Sequence, residues 1–300
     1  MVRDPKRRLV SAAPFRDRVV HHALYAVIGP IFERGFIANT YANRVGKGTH
    51  RALEQYECYR DRHRFALRAD IAQYFPSIDH AVLNADLRRR VACERTLALC
   101  ERIIDCAEPS ETRTDVWFDG DDLLTPITRK RGLPLGNLTS QFFANVYLDV
   151  LDHYCSEVLR APYVRYVDDF ALFSNDVLQL QTWQQQIAGH LARRRLRLHP
   201  PKTNVQPTAQ PADFLGFVTA PGGHRRLPAR NVSRFVGRLA GLRADWAQDN
   251  RDVPDIRQRI QAWVAHARHA DTAHLRHTLF VGGWFDPWWS DGASVEAVQP

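Results

Sequence analysis

Two adjacent carboxylates, Asp168 and Asp169, interrupt the apolar and aromatic run Arg165-Tyr-Val-Asp-Asp-Phe-Ala-Leu-Phe-Ser174. Like charges held side by side repel. A divalent cation offsets that repulsion, and paired oxygens suit the hard Mg2+ ion. The alternative is an acidic turn open to solvent. Tyr163–Val167 and Phe170–Phe173 are rich in β-branched and aromatic residues, so each is expected to be a strand, with Asp168-Asp169 as the link of a tight hairpin. A third carboxylate, Asp70, ends an alternating stretch from His63. In it Phe65, Leu67 and Ala69 share one face, and Ala66, Arg68 and Asp70 the other. Antiparallel pairing of that strand with the hairpin would bring the three carboxylates together. Such a cluster could hold two Mg2+ ions roughly 3.5–4 Å apart, the arrangement that serves the attacking and leaving oxygens of phosphoryl transfer.

Other elements must position these groups. Pro76 breaks the chain after Asp70, and Ser77 or Asp79 can cap a helix with the stripe Leu83, Leu87 and Val91. Gly132–Gln141 is a turn-rich glycine loop, and a long apolar helix is expected from about Phe142 to Leu159. Pro14–Ile31 is expected to be helical on the spacing of Val19, Val20, Ala23, Leu24 and Val27. His21 and His22 on it read as packing or surface residues. Tyr41–His50 is a basic glycine loop leading into a helix over Arg51–Arg62; it lacks phosphate-loop spacing, yet such a loop can meet phosphate. Residues 107–131 read as a polar loop or small hairpin. Leu178–Leu196 reads as a helix, and Phe214–Val218 as one short buried strand. Val232, Phe235, Leu239, Leu242 and Trp246 mark an amphipathic helix whose other face stacks Arg230, Arg234 and Arg238, either as a solvated face or as a track for phosphates. Trp284, Trp288 and Trp289 either pack the tail or stack a base.

With 300 residues, 45% hydrophobic and 25% charged, the chain suits one or two globular domains. A net charge of +8 favours a polyanion partner, nucleic acid first. No run of apolar residues is long enough for a membrane span, and the N-terminus lacks the apolar region of a signal peptide. None of the five cysteines forms a C-x-x-C pair, which argues against zinc and for buried thiols in a reducing cytoplasm.

Taken together, these motifs resemble those of reverse transcriptases. Ala69-Asp-Ile-Ala-Gln-Tyr-Phe-Pro-Ser-Ile-Asp79 resembles the family's first palm motif, and Tyr166-Val-Asp-Asp169 its Y-x-D-D box. Leu198-His-Pro-Pro-Lys-Thr203 and Phe214-Leu-Gly-Phe217 resemble the last two palm motifs, and Lys6-Arg-Arg-Leu-Val-Ser11 a basic fingers motif. The resemblance implies an α+β right-hand polymerase: fingers in residues 1–62, short at the N-terminus through either trimming or a misassigned start; an antiparallel-sheet palm covered by helices in 63–220, with a fingers insertion around 90–131; and a helical thumb with a tail in 221–300. On that layout, no RNase H or endonuclease domain is expected beyond the thumb. The implied activity is RNA-templated DNA synthesis on a DNA or RNA primer from dNTPs, with two Mg2+ ions, or Mn2+ as a substitute. Asp70, Asp168 and Asp169 are then the catalytic metal ligands, joined by the backbone of Ile71. Lys6 and Arg8 would hold the triphosphate, Phe75 would exclude a 2′-hydroxyl, and Lys202 would meet the pyrophosphate; a frayed terminus, core packing and a solvated lysine are the respective alternatives. Leu135, Gly136 and Gln141 would border the nascent pair. Arg165 and Tyr166 would brace the hairpin or meet the primer end, and Phe214, Leu215, Gly216, Arg230, Arg234 and Arg238 would contact nucleic acid.

Leu135-Gly-Asn-Leu-Thr-Ser-Gln141 departs from the commoner Gln-Gly-x-x-x-Ser-Pro and resembles the enzymes of diversity-generating retroelements, as do Arg44–His50 and Ala262–Asp271. That resemblance implies copying that is error-prone at template adenines, a small basic accessory protein and a cytoplasmic setting. The alternatives are a retron-like, intron-derived or antiphage-defence reverse transcriptase and, in another class, a decayed RNA-binding scaffold.

Overall fold

The computed structural model describes residues 13–106, 115–248, 252–281 and 283–286, with the backbone alone of Val2–Arg3 and Arg7–Arg8. The chain divides into two compact units, Met1–Pro207 and Thr208–Pro300.

In the first unit, β1 (Val2–Arg3) pairs with β2 (Arg7–Arg8). Helices α1 (Phe15–Glu33) and α2 (Thr49–Arg62) precede β3 (Phe65–Asp70). The short α3 (Tyr74–Ser77), α4 (His80–Arg88), α5 (Glu94–Asp105) and α6 (Thr125–Thr128) lead to α7 (Leu138–His153), which runs on as a π-helical turn, Tyr154–Val158. β4 (Tyr163–Tyr166) and β5 (Asp169–Ser174) form a hairpin; α8 (Val177–Arg193) follows, then a 3-10 turn, Pro200–Lys202, and β6 (Asn204–Pro207).

The sheet is antiparallel with strand order β4-β5-β3-β6. Side chains alternate across it, as extended backbone requires. Leu67 and Ala69 of β3 and Phe170 and Leu172 of β5 enter one core with Leu83 and Leu87 of α4, Phe143 and Tyr147 of α7, and Leu180 and Ile187 of α8. On the opposite face Phe173 meets Tyr56 of α2, with ring centroids 5.1 Å apart. Asp70 therefore stands on the face of Ala66 and Arg68, as the alternation predicts. Asp79 caps α4, its carboxylate accepting from Val82 N–H at 3.0 Å. α7 is buried on nearly every side, so it is apolar all round and carries Asn145 and Asp152 into the interior.

Four expectations need correction. The hairpin link is Val167–Asp168, one residue earlier than the acidic pair, and Asp169 already belongs to β5. α1 forms, but Val19, Val20 and Val27 face solvent while His21, Leu24, Ile28 and Phe32 are buried; its inward face is chosen by packing on α7, where His21 Nδ1 lies 3.4 Å from Thr139 Oγ1. Phe214–Val218 is not one strand but the turn of a hairpin. The cysteines carry free thiols, yet Cys93 and Cys106 are exposed rather than buried.

The second unit holds β7 (Ala212–Phe214), β8 (Phe217–Ala220) and β9 (His224–Arg226), an antiparallel sheet, with α9 (Ala229–Ala247), α10 (Val253–Ala267) and α11 (Ala273–Phe280). Phe235, Leu239 and Leu242 of α9 pack on Ile256, Ile260 and Val264 of α10 and Phe280 of α11. Trp263 stacks on Phe235 with centroids 4.0 Å apart. Among the described residues, no helix is long and apolar enough to cross a membrane.

Candidate active site

The register of two strand pairs builds the site. β3 and β5 place Asp70 opposite Asp169, and β4 and β5 place Asp169 opposite Tyr166, with Asp168 in the turn between. One oxygen from each of Asp70, Asp168 and Asp169 lies within 4.8 Å of the others. Asp70 is buried, and the other two are half-buried. Burial, then the charges of Asp168 and Asp70, push the Asp169 carboxyl up to about 7. A cluster whose carboxylates hold each other's protons more tightly is a donor set suited to a hard cation. Oxygen-only ligands fit Mg2+. Lys202 Nζ lies 2.5 Å from Asp70 Oδ2 while half its side chain stays exposed.

The hairpin tip is strained. Val167 adopts φ +57°, a left-handed conformation that costs a β-branched residue about 1–2 kcal/mol. Arg165 holds it there. Its Nη1 donates to the Val167 carbonyl at 2.9 Å, and its Nε and Nη2 donate to the two Asp152 oxygens at 2.7 and 2.5 Å. Tyr163 Oη donates to Asp152 Oδ1 at 2.9 Å, and Arg165 Nη1 reaches Asn145 Oδ1 at 3.3 Å. Arg165 is 1% exposed and Asp152 fully buried. Outside the sheet, Arg165 N–H donates to Asn39 O and Tyr41 N–H to Arg165 O, both at 3.0 Å. The expectation that Arg165 contacts nucleic acid is therefore corrected: its guanidinium is enclosed by protein and braces the turn that presents Asp168. Tyr166 is half-buried, its hydroxyl 3.1 Å from Thr49 Oγ1.

Ile71 is buried and forms an antiparallel bridge with Leu198. Both bonds of that bridge belong to neighbours: Ala72 N–H donates to Arg197 O at 2.9 Å and His199 N–H to Asp70 O at 2.8 Å. The bridge thus leaves the Ile71 carbonyl unused. Past it, Phe75 lies half-buried, edge-on to Tyr74, whose hydroxyl donates to Ala144 O at 2.5 Å. The glycine loop is tied to this segment: Leu133 N–H donates to Phe75 O at 3.0 Å and Gly132 N–H to Ile78 O at 2.8 Å. Leu135 is half-buried, Gly136 is exposed at φ +110°, and Gln141 stands in the first turn of α7.

Lys6 lies outside the described residues, as do Trp288 and Trp289, and for Arg8 only the backbone, in β2, is described. In the second unit, Phe214 is buried, Leu215 half-buried and Gly216 exposed at the β7–β8 turn. Arg230 and Arg238 are exposed on α9 and Arg234 is half-buried; Arg230 lies 3.6 Å from Asp213. Trp284 packs on Trp246, centroids 5.2 Å apart. The basic loop before α2 is bonded to the segment that precedes it: Arg44 donates to Glu33 at 2.7 Å and Ile37 O at 2.6 Å, and Lys47 to Ala38 O at 2.7 Å.

Sequence reasoning missed Asp152 and Asn145. Their signal was Asn145, Asp149 and Asp152 set among the apolar residues of one buried helix, because a buried charge requires a partner.

A family model for reverse transcriptase (RNA-dependent DNA polymerase) matches residues 3–219. The chain is 24% identical over 250 residues to protein YkfC of Escherichia coli, covering 70% of this chain and 62% of that protein. It is 24% identical over 118 residues to nuclear intron maturase 1, mitochondrial, of Arabidopsis thaliana, covering 39% of this chain and 17% of the relative. It thus spans less than two thirds of either relative. Its structure is similar to that of telomerase from Candida albicans, with 15% identity and a TM-score of 0.48 over 70% of this chain and 37% of the other. The matched span takes in both strands that carry the carboxylates, the glycine loop and Lys202, and the chain belongs to the reverse transcriptase family.

Proposed function

We propose that this chain is an RNA-directed DNA polymerase, extending a DNA or RNA primer with dNTPs on an RNA template in the cytoplasm. The observation that carries the proposal is the register that sets Asp70 opposite Asp169 with Asp168 at the adjoining turn. Asp70, Asp168 and Asp169, with the Ile71 carbonyl, would hold two Mg2+ ions, or Mn2+ in their place, which acidify the primer 3′-hydroxyl and neutralise charge on the leaving pyrophosphate. In the reaction the 3′-hydroxyl gives up its proton to solvent as its oxygen bonds to the α-phosphorus, the bond from that phosphorus to the bridging oxygen breaks, and pyrophosphate leaves with the electron pair. Lys202, poised on Asp70, can swing its ammonium to the departing anion and donate a proton there. Phe75 walls the sugar site against a 2′-hydroxyl. Lys6 and Arg8 are assigned to the triphosphate.

We further propose the diversity-generating type. Leu135 offers no hydrogen bond to the nascent pair, and a site lacking that bond loses a geometric check on the incoming nucleotide. Errors concentrated at template adenines and a small basic accessory protein complete that reading. Similarity to an intron maturase favours a second reading, an intron-derived enzyme, with the same chemistry and ordinary fidelity.

Primer extension on RNA with Mg2+ tests the activity: wild type extends, whereas a decayed scaffold does not. Sequencing the cDNA separates the types, and substitutions spread evenly over the four template bases would remove the diversity-generating one.

A further inference from the structure

Helix α8 stops through an arginine in a position that favours glycine. Arg195 N–H donates to Ala192 O and Leu196 N–H to Leu191 O, both at 2.9 Å. That pair of bonds is a Schellman stop, with Arg195 at its left-handed position, φ +58°. Leu191 and Leu196 close the stop in the core, where both are buried. Glycine is the usual occupant of that position, because a Cβ disfavours the left-handed region. The stop by itself gives no reason for an arginine.

The side chain gives one. Arg195 Nη1 donates to Asp121 Oδ1 at 2.8 Å and to Asp119 O at 3.3 Å. Its guanidinium lies 5.8 Å from the centroid of the Phe118 ring, and that of Arg129 lies 5.6 Å from the same ring. Asp121, its side chain 1% exposed, also accepts from Arg129 Nη2 and, at 2.8 Å, from Phe118 N–H. Arg129 Nε in turn lies 3.4 Å from Asp79, the cap of α4. A carboxylate shielded from solvent and shared by two guanidinium groups is a strong tie. It joins the segment 118–129 to the exit of α8.

The chain that leaves this clasp reaches the carboxylates. Arg197 O accepts from Ala72 N–H and His199 N–H donates to Asp70 O, on either side of the Ile71–Leu198 bridge. Residues 199–203 then arch between two paired points, Leu198 on Ile71 and Asn204 on Arg68, and the arch carries Lys202 to Asp70. One end of the arch is held by the sheet. The other is held by a single bridge, with the Arg195 clasp two residues before its first bond.

We propose that Arg195 is a positioning residue: held by Asp121, it fixes the chain that enters the bridge and so the reach of Lys202 between Asp70 and the leaving group. The catalytic role rests on the polymerase reading; the mechanical link does not.

Hydrogen exchange is the first arm. Arg195→Gly keeps the stop, since glycine is its preferred residue, and deletes the clasp. The Ala72 and His199 amides are expected to exchange about tenfold faster, with the Leu196 amide unchanged. Arg195→Asn tolerates the left-handed turn, is too short for the contact, and should match it. Arg195→Lys should recover part of the protection. Wild-type exchange in the glycine and asparagine variants overturns the link. Equal quickening at Leu196 in both assigns the arginine to the stop itself and overturns it too.

Steady-state primer extension is the second arm. Arg195→Gly is expected to lower kcat about tenfold and to leave the dNTP KM within about twofold. Lys202→Met should lower kcat about 100-fold by loss of the proton donor. Adding Arg195→Gly to it should then change kcat less than about twofold. Equal factors in both backgrounds overturn the positioning role, because a general structural loss acts with or without Lys202. A KM that rises at constant kcat overturns it as well. A wild type that extends no primer, while Arg195→Gly quickens exchange, retires the polymerase reading and keeps the link. One that extends primers, with exchange unchanged in the variant, retires the link alone.

Discussion

At Val167–Asp168 and again at Leu215–Gly216 the chain reverses between antiparallel strands through two residues, and each turn opens on a bulky residue at positive φ, +57° for Val167 and +47° for Leu215. At the second turn Gly216 takes the next positive φ, +86°, so half the turn carries the residue its geometry prefers. At the first, the left-handed position that favours glycine is held by a β-branched valine, and the following residue is a carboxylate. What differs is the support. Beneath Val167 lies a buried guanidinium bonded to its carbonyl and to Asp152. A turn this unfavourable persists where its surroundings over-determine it, and such places are where function needs an atom held still.

Removing the charge at that tip has the largest expected effect. Asp168→Ala should lower the primer-extension rate by ~10³-fold or more, as the loss of a metal ligand implies. The same change should raise the melting temperature of the metal-free protein, because one of three crowded negative charges is gone. Extension at the wild-type rate would sink the metal assignment. Removing the brace comes next. Arg165→Leu should cost about 3–5 kcal/mol in chemical denaturation, since Asp152 stays buried without its partner. Adding Asp152→Leu should recover most of that stability but not the extension rate, because the Val167 carbonyl still lacks its donor. A double variant that recovers both would reduce the pair to packing.

The acidic tip also sets a pH dependence with an unusual sign. Asp169 titrates near 7 in the fold and near 3.8 when unfolded. Between those values the folded protein keeps a proton that the unfolded chain has released, so each step up in pH favours unfolding. Relative to an Asp169→Asn variant, in which the histidines lowered by burial, His190 above all, titrate unchanged, the metal-free protein should therefore lose stability from about pH 4 to about pH 7 and level off above. Denaturation of both proteins at a series of pH values without divalent metal checks this; parallel curves would show that the cluster does not crowd its charges.

Sequence periodicity carried the strand of Asp70, the cap at Asp79 and the hairpin beside it, because alternation and capping are local. It misplaced the hairpin link by one residue, since the link violates the local preference it was read from. It missed Asp152, because α7 is buried all round and no period marks the side that meets Arg165. On α1 the solvent keeps Val27, 66% exposed, while His21 is 8% exposed. Hydrophobicity alone ranks those two the other way. At Phe214–Phe217 a continuous apolar run hid a turn whose one signal was a single glycine.

The smallest expected effects compare the two turns directly. Leu215→Asn should stabilise the protein by up to about 1 kcal/mol, because Asn tolerates the left-handed region that Leu215 occupies. Val167→Gly should change stability by less than about 1 kcal/mol, because relief of the left-handed strain is offset by the backbone entropy of glycine and by the loss of Val167 packing on the core. The expected divergence is in activity. Glycine frees the peptide that Arg165 holds and lets Asp168 wander, so Val167→Gly should slow extension at nearly unchanged melting temperature. A rate that falls without a matching loss of stability is the signature of strain kept for positioning. If Val167→Gly extends primers at the wild-type rate, the strain at the tip is incidental and the two turns differ only in their neighbours.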